Sequence, residues 1–317
     1  MGGDWPTLAT IEKAAKRIAA HVHRTPILRC SAIDDIVGAE LFFKCENFQK
    51  IGAFKFRGAL NGVMSLDEQT AARGVATHSS GNHGAAIALA ARMRGISAQI
   101  IMPKTANAAK RRAVHAYGGS IVDCGPTLAD RDAALAKTIR ESGAEVIHPF
   151  NDYRVIAGQG TVALELAAEV PDVDAVVAPV GGGGLISGTA LTLHEVSPSI
   201  EVIGCEPAGA DDAHRSFKSG NLASIEKPET IADGLMATSL GALTYPIIQA
   251  RLSDIALASE PGIVAAMRLI WERMKLVVEP SAAVALAGLM ENELGLAGKR
   301  VGVILSGGNV DLDELPW

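Results

Sequence analysis

Lys55 stands in "GAFKFRGALN" (residues 52–61), between Phe54 and Phe56, with Arg57 two places on and glycines on both sides. An amine in such surroundings has two readings. On an amphipathic helix its stem would pack and its charge would stay in water. In a partly desolvated pocket its pKa would fall, and the neutral amine would serve as a nucleophile or form a Schiff base. Other segments bear on the choice. "PVGGGGLISGTALTLHE" (179–195) reads as a strand, four glycines and a helix. Without Cβ atoms the backbone N–H groups can close on an oxyanion, and the helix adds the favourable end of its dipole. Gly181, Gly182, Gly183 and Gly184 therefore predict a phosphate cup. In "THSSGNHG" (77–84), Ser79, Ser80, Asn82 and His83 surround Gly81 where a strand gives way to a helix. Hydroxyl, amide and imidazole groups beside fresh helix N–H donors suit a carboxylate, although an N-cap alone would use a serine or asparagine. "ILSGGN" (304–309) ends a strand with Ser306 before two glycines, and in isolation reads as a turn.

Common phosphate and hydrolase motifs are missing. The dinucleotide fingerprint begun at Gly181 puts Ile186 at its last glycine, and begun at Gly182 it puts Ser187 there. There is no Walker A sequence and no G-x-S-x-G elbow, and "HEVSP" lacks the second histidine of a zinc helix. A small phosphorylated cofactor is what remains.

The elements that must position these residues follow from the rest of the chain. Short apolar runs such as "ELFFKCE", "GVATHSS", "AQIIMP", "GSIVDC", "AEVIHPF", "DAVVAPV", "IEVIGCEP" and "RVGVILSGG" alternate with alanine-rich helical stretches. Apolar strands separated by helices predict an α/β fold with mostly parallel open sheets covered on both faces. Several strands end in glycine-rich or small polar clusters, and ligands of open α/β sheets bind outside such ends, so one shared site is expected. At 317 residues the chain is near the size at which one core divides into two. A net charge of -6 with scattered basic residues argues against nucleic acid. No run is long enough to span a membrane. Cys30, Cys45, Cys124 and Cys205 are far apart and read as reduced thiols, and "MGGDWPTLAT" lacks a signal peptide, so a cytoplasmic location is expected.

"GAFKFRGALN", "SSGNHG", "VGGGGLISG" and "LSGGN", in this order and spacing, resemble the fold-type II pyridoxal-phosphate enzymes. With "HRTPIL", "IAGQGTVALE", "CEPAGADD", "ETIADGL", "WERMKLVVEPSAA" and "SGGNVDL", the resemblance narrows to the serine/threonine dehydratase, serine racemase and 3-hydroxyaspartate ammonia-lyase group, over almost the whole chain. It implies a two-lobed fold like that of the tryptophan synthase β subunit. Residues 1–66 and 152–317 would form the large cofactor-binding domain and 67–151 a small mobile domain, in a homodimer acting on a small amino acid. It further implies that Lys55 binds the pyridoxal 5'-phosphate aldehyde with Phe54 beside it. Gly181, Gly182, Gly183, Gly184 and Leu185 would hold the phosphate through backbone N–H groups, Asn82 the phenolic oxygen and Ser306 the pyridine nitrogen. A serine there leaves that nitrogen largely unprotonated, which favours elimination over transamination.

The reaction so implied is β-elimination from L-serine, L-threonine or 3-hydroxyaspartate, giving an oxo acid and ammonia. The substrate amine would displace Lys55, the freed lysine would remove the α-proton, and the β-hydroxyl would leave with help from an acid, the cofactor phosphate. Ser79, Ser80, Gly81, Asn82 and His83 would clamp the α-carboxylate. In the racemases Ser80 corresponds to an acid/base on the face opposite the lysine, so serine racemisation is the alternative activity. Glu206, the Ala210 carbonyl and Asp212 resemble a divalent-cation site for Mg²⁺, Mn²⁺ or Ca²⁺. Arg131 matches an arginine able to approach substrate, and a guanidinium there suits a second carboxylate. Two features depart from the pattern or limit it. Ala53 replaces the serine of most relatives, and "SGGNVDLDELPW" ends the chain without a regulatory domain, so isoleucine feedback is not expected. β-Replacement is disfavoured by "IAGQGT" and "SGGNVDL". A non-catalytic binding role would fit loss of Lys55 or of the glycines, and both are intact.

Overall fold

The computed structural model describes residues 5–317. Its strands are β1 (Ile27–Leu28), β2 (Glu40–Cys45), β3 (Val75–His78), β4 (Ala98–Pro103), β5 (Ser120–Cys124), β6 (Glu145–Val146), β7 (Ala175–Pro179), β8 (Glu201–Pro207), β9 (Asp254–Ala258) and β10 (Arg300–Leu305). They form two sheets, one ordered β1-β2-β10-β7-β8-β9 and the other β5-β4-β3-β6. Every pairing is parallel except that of β1 with β2. The apolar strand runs have a simple cause, since helices cover both faces of the larger sheet. Phe43, Val177 and Val303 face the helix Pro280–Glu291, whereas Phe42, Val176 and Ile304 face the helices Tyr153–Glu169 and Gly184–Val196. Among the described residues no helix is long and apolar enough to cross a membrane.

Strand order explains why distant motifs meet. β10, last in the chain, inserts between β2 and β7, so the ends of β2, β10, β7 and β8 lie in a row. Lys55 follows the first, Ser306 the second, the glycine run the third and Ala210 the fourth. In the smaller sheet β3 is central and delivers residues 79–83. Two strands, β1 and β9, escape the sequence pattern. β1 has only two residues, and β9 ("DIALA") opens on Asp254 after Ser253 and is fixed by its pairing with β8. "AEVIHPF" is strand only at Glu145–Val146, because Ile147 makes one more ladder bond, to the Ala76 carbonyl at 3.1 Å, before Pro149, which has no N–H, turns the chain.

A buried ionic network ties Lys55's helix to the larger sheet. Arg57 and Glu46, each with a fully buried side chain, pair through Nε–Oε2 and Nη2–Oε1, both 2.8 Å. Arg57 grips Glu165 as well, at 2.7 and 2.8 Å, and buried Lys44 reaches the same carboxylate at 2.7 Å. Burial works against the Arg57 charge, but Glu46 and Glu165 outweigh it and hold the guanidinium protonated. Removing one partner of such a group leaves uncompensated charge behind. Arg57→Met should therefore lose about 3–5 kcal/mol of stability, measured by urea unfolding.

Candidate active site

Lys55 opens the helix Lys55–Met64, and the turn before it is laced to the end of β10. Ala53 bridges Gly307, the Phe54 N–H donates to the Ser306 carbonyl at 3.0 Å, and the Gly308 N–H donates to Gly52 at 2.9 Å. Ile51 in that turn has φ 61°, which strains a β-branched residue. Asn309 holds it there by donating Nδ2–H to the Ile51 carbonyl at 2.7 Å. The Lys55 amine donates to the Pro149 carbonyl at 2.9 Å and lies 5.1 Å from the Phe54 ring centre. Burial lowers its pKa from 10.5 to about 8, against a pull upward from the Glu279 carboxylate. Of the two readings of this half-buried lysine, the partly desolvated one describes the structure.

The glycine run forms a close-fitting cradle. Gly183 has φ +90°, and a Cβ on Gly182 would lie 2.3 Å from the Phe150 ring, so side chains there are sterically excluded. The helix Gly184–Val196 starts at Gly183 with no side-chain cap. Among the described residues, no backbone carbonyl accepts from the N–H groups of Gly181 through Leu185. A ring of unpaired donors at a helix N-terminus fits a phosphate.

After β3, Ser79, Ser80 and Gly81 are partly exposed, and the helix Asn82–Arg94 likewise lacks a side-chain cap. A Cβ on Gly81 would meet nothing within 4 Å, so there is room beside these donors. Ser79 Oγ accepts from the Gly81 N–H at 3.2 Å. His83 differs from the sequence expectation. Its ring is buried with Nε2 3.0 Å from the Ile147 carbonyl, and burial, with Lys55 nearby, keeps its pKa well below 6.5. A neutral ring that donates from Nε2 has only a lone pair on Nδ1. His83 can thus serve a carboxylate through its backbone N–H but not through its ring. Ser306 is buried at the end of β10.

Arg131 lies in the first turn of the helix Leu128–Ser142, partly buried, with Nη2 on the Pro126 carbonyl at 3.2 Å and Nε without a partner. Its charge, after burial and against Asp132, helps hold His78 neutral. His78 stacks edge-on against His148 at 5.6 Å, and His148 is depressed to about 4 by burial, then by His78 and Lys55. A file of neutral imidazoles therefore runs from Lys55 to Arg131.

Sequence reasoning gave no role to Glu279, Asn309, His78 or His148. Asn82 Nδ2 donates to both Glu279 oxygens, at 2.9 and 3.2 Å, and Asn82 Oδ1 accepts from Asn309 at 2.9 Å. The available signal for Glu279 was an acid directly before the proline that opens a largely apolar helix.

At the end of β8, Glu206 is buried and accepts the N–H groups of Ala213 and His214 at 3.0 and 2.8 Å. Burial, followed by Asp212, raises its pKa to about 9, and burial raises Asp212 to about 7. Asp212 Oδ2 is buried without a partner. No group of three His, Cys, Asp or Glu side chains suited to a metal occurs among the described residues. Two costly carboxylates and an orphaned oxygen, with the Ala210 backbone between them in the chain, are nevertheless a donor set that fits a hard cation.

Comparison with known proteins agrees with this arrangement. A family model described as "Pyridoxal-phosphate dependent enzyme" matches residues 18–307. The chain is 52% identical to a beta-hydroxyaspartate dehydratase of Paracoccus denitrificans over 98% of its length and 99% of that protein's. The crystal structure of serine racemase from Dictyostelium discoideum superposes with a TM-score of 0.92 at 45% identity, covering 96% of this chain and 99% of that one. The crystal structure of a threonine deaminase from T.th. matches at TM-score 0.92 and 41% identity, over 97% of this chain and 99% of that one.

Acylation of Lys55, followed by peptide mass spectrometry across pH, should show a midpoint near about 8 rather than 10.5, because the reactive neutral amine appears as pH rises through the lowered pKa.

Proposed function

Because this chain belongs to the pyridoxal-phosphate dependent enzyme family, we propose that it catalyses β-elimination from a 3-hydroxy amino acid, 3-hydroxyaspartate foremost, to an oxo acid and ammonia. The observation that carries the reading is the desolvated Lys55 amine between an unpaired phosphate cradle and an uncapped helix N-terminus. Pyridoxal phosphate bound there would supply the electron sink for negative charge at the substrate Cα. The N–H groups from Gly181 to Leu185 would hold the phosphate, Phe54 would flank the ring, and Ser306 would meet the pyridine nitrogen.

Lys55, neutral over much of the range above about pH 8, would take the proton from Cα. Ser79, Ser80, Gly81, Asn82 and the His83 N–H would bind the α-carboxylate and orient the scissile C–H bond. Arg131, with its unpartnered Nε, would receive the β-carboxylate that 3-hydroxyaspartate has and serine lacks. Ser80 supports a second activity, serine racemisation, because a hydroxyl on the far face of the substrate could return the proton there. Relatives named serine racemase are 45–46% identical to this chain.

We further propose that residues 67–151 move as a small domain over 1–66 and 152–317, excluding water when substrate binds. Glu206, the Ala210 carbonyl and Asp212 would hold Mg²⁺, Mn²⁺ or Ca²⁺. The homodimer implied by the resemblance belongs to the same reading, as does a cytoplasmic location, with which four free cysteines are consistent.

Ammonia and oxo-acid release should be fastest with one 3-hydroxyaspartate isomer among L-serine, D-serine, L-threonine and the four hydroxyaspartates. Lys55→Ala should lower turnover by about 10²–10⁴-fold or more, whereas Ser80→Ala should abolish interconversion of serine enantiomers and lower elimination less than Lys55→Ala does. Chelation should lower the Tm of the wild type but not of Asp212→Asn. Both acids have raised folded pKa values, so metal-free stability should fall as pH climbs from the ordinary carboxylate range through about 7 and about 9. A cation binds the deprotonated acids, so its stabilisation should grow over that same window.

A further inference from the structure

Glu279 is a buried carboxylate that the proposed reaction does not use. It is the N-cap residue of the helix Pro280–Glu291, yet it makes no capping bond there. Its side chain turns to the end of β10, where a Cβ on Gly307 would lie 2.5 Å from Glu279 Oε1. Its backbone N–H is fixed by the Gly307 carbonyl at 3.1 Å. From this seat it accepts from Asn82 Nδ2 across the gap between the two sheets.

The pairing constrains Asn82 more than a generic contact would. When Glu279 is ionised its carboxylate only accepts, so the Asn82 edge facing it must then be the NH2 group. At the other edge Asn309 presents an NH2 group, which only donates, and so it must meet the Asn82 oxygen. Asn309 is anchored in turn by its bond to the Ile51 carbonyl. The Asn82 amide is thus held at both ends in one of its two orientations. Its nitrogen lies closer to Glu279 Oε1 (2.9 Å) than to Oε2 (3.2 Å), a pattern that one bifurcated N–H satisfies, which leaves the second N–H to be placed.

We infer that Glu279 is a positioning residue that fixes the Asn82 amide so that its second N–H is offered to the phenolic oxygen of bound pyridoxal phosphate. The inference rests on the proposed contact between Asn82 and that oxygen. Reversed, the amide would present a lone pair to an oxygen that also carries lone pairs. Burial and then Asp233 raise the Glu279 pKa to about 7, while Asn82, Lys110 and the Asn309 backbone favour the charged form. A glutamine in its place would be nearly isosteric and would avoid burying a charge, but its NH2 group could donate to the Asn82 oxygen and turn the amide round.

The test compares the wild type with Glu279→Gln, Asn309→Asp, Asn82→Ala and the double variant Glu279→Gln/Asn82→Ala. The readouts are cofactor retention by equilibrium dialysis and the pH at which the bound cofactor's visible absorption changes. Glu279→Gln should weaken retention about tenfold and move the spectral midpoint by about one pH unit, in the same direction as Asn82→Ala. The double variant should be no worse than Asn82→Ala alone, because both remove the same contact. Asn309→Asp reverses the opposite anchor and should shift the spectrum the same way, and it carries the test should Glu279→Gln not fold. A shift in Asn82→Ala, with wild-type spectra for Glu279→Gln and Asn309→Asp or with additive effects in the double variant, would overturn the inference and leave the Asn82 contact standing. An unshifted Asn82→Ala would overturn the contact itself and the inference with it.

Discussion

Arg57 determines where Lys55 can stand. The two are close neighbours at the start of the same helix, and Arg57 is held by two bidentate carboxylates, Glu46 from the end of β2 and Glu165 from the helix Tyr153–Glu169. Such a network adds little net stability over a well-packed apolar core, because both charges must be desolvated. It does add direction, since a planar guanidinium bound on two edges cannot rotate without breaking several bonds at once. The backbone that carries Lys55 is thereby fixed against the larger sheet from one side. From the other side the Ala53–Gly307 bridge fixes it to β10.

That rigidity matters because the amine sits where water is scarce. An ammonium in such a place loses solvation, and here the loss exceeds the attraction of Glu279, so the balance falls at about 8. Glu279 answers to the opposite pressure and rises to about 7. The two groups are therefore shifted toward neutral pH from opposite directions, in a cleft whose imidazoles, His78, His83 and His148, are all pushed toward the uncharged form. Two sheets contribute to this cleft. A shift of one against the other would alter Asn82–Glu279, Asn82–Asn309 and the Lys110–Asp233 pair together.

The sequence was most legible where one physical requirement dictates residue type. Apolar strand runs followed from burial on both faces, and four consecutive glycines marked the turn whose N–H groups have no backbone partner among the described residues. Lys55 was ambiguous alone and gained meaning only from the order of the other segments. What stayed hidden depends on three-dimensional neighbours. β9 opens on an aspartate and is fixed by its pairing with β8, which the sequence does not show. Glu279 and Asn309 lie far from Asn82 in the chain, and nothing in a single sequence says that an acid before a proline faces an asparagine 197 residues away. The residue pattern offers the His83 imidazole to a carboxylate, whereas the Ile147 carbonyl takes its Nε2 and leaves only the backbone N–H for an anion.

The account rests on Lys55 being the amine that captures the cofactor, and borohydride reduction of the cofactor-loaded protein followed by peptide mapping tests it most directly. The expected result is a phosphopyridoxyl group on the peptide containing Lys55, at one equivalent per chain, with Lys44 and Lys50 unmodified. A label on any other lysine, or no label on a protein that retains the cofactor, would contradict it.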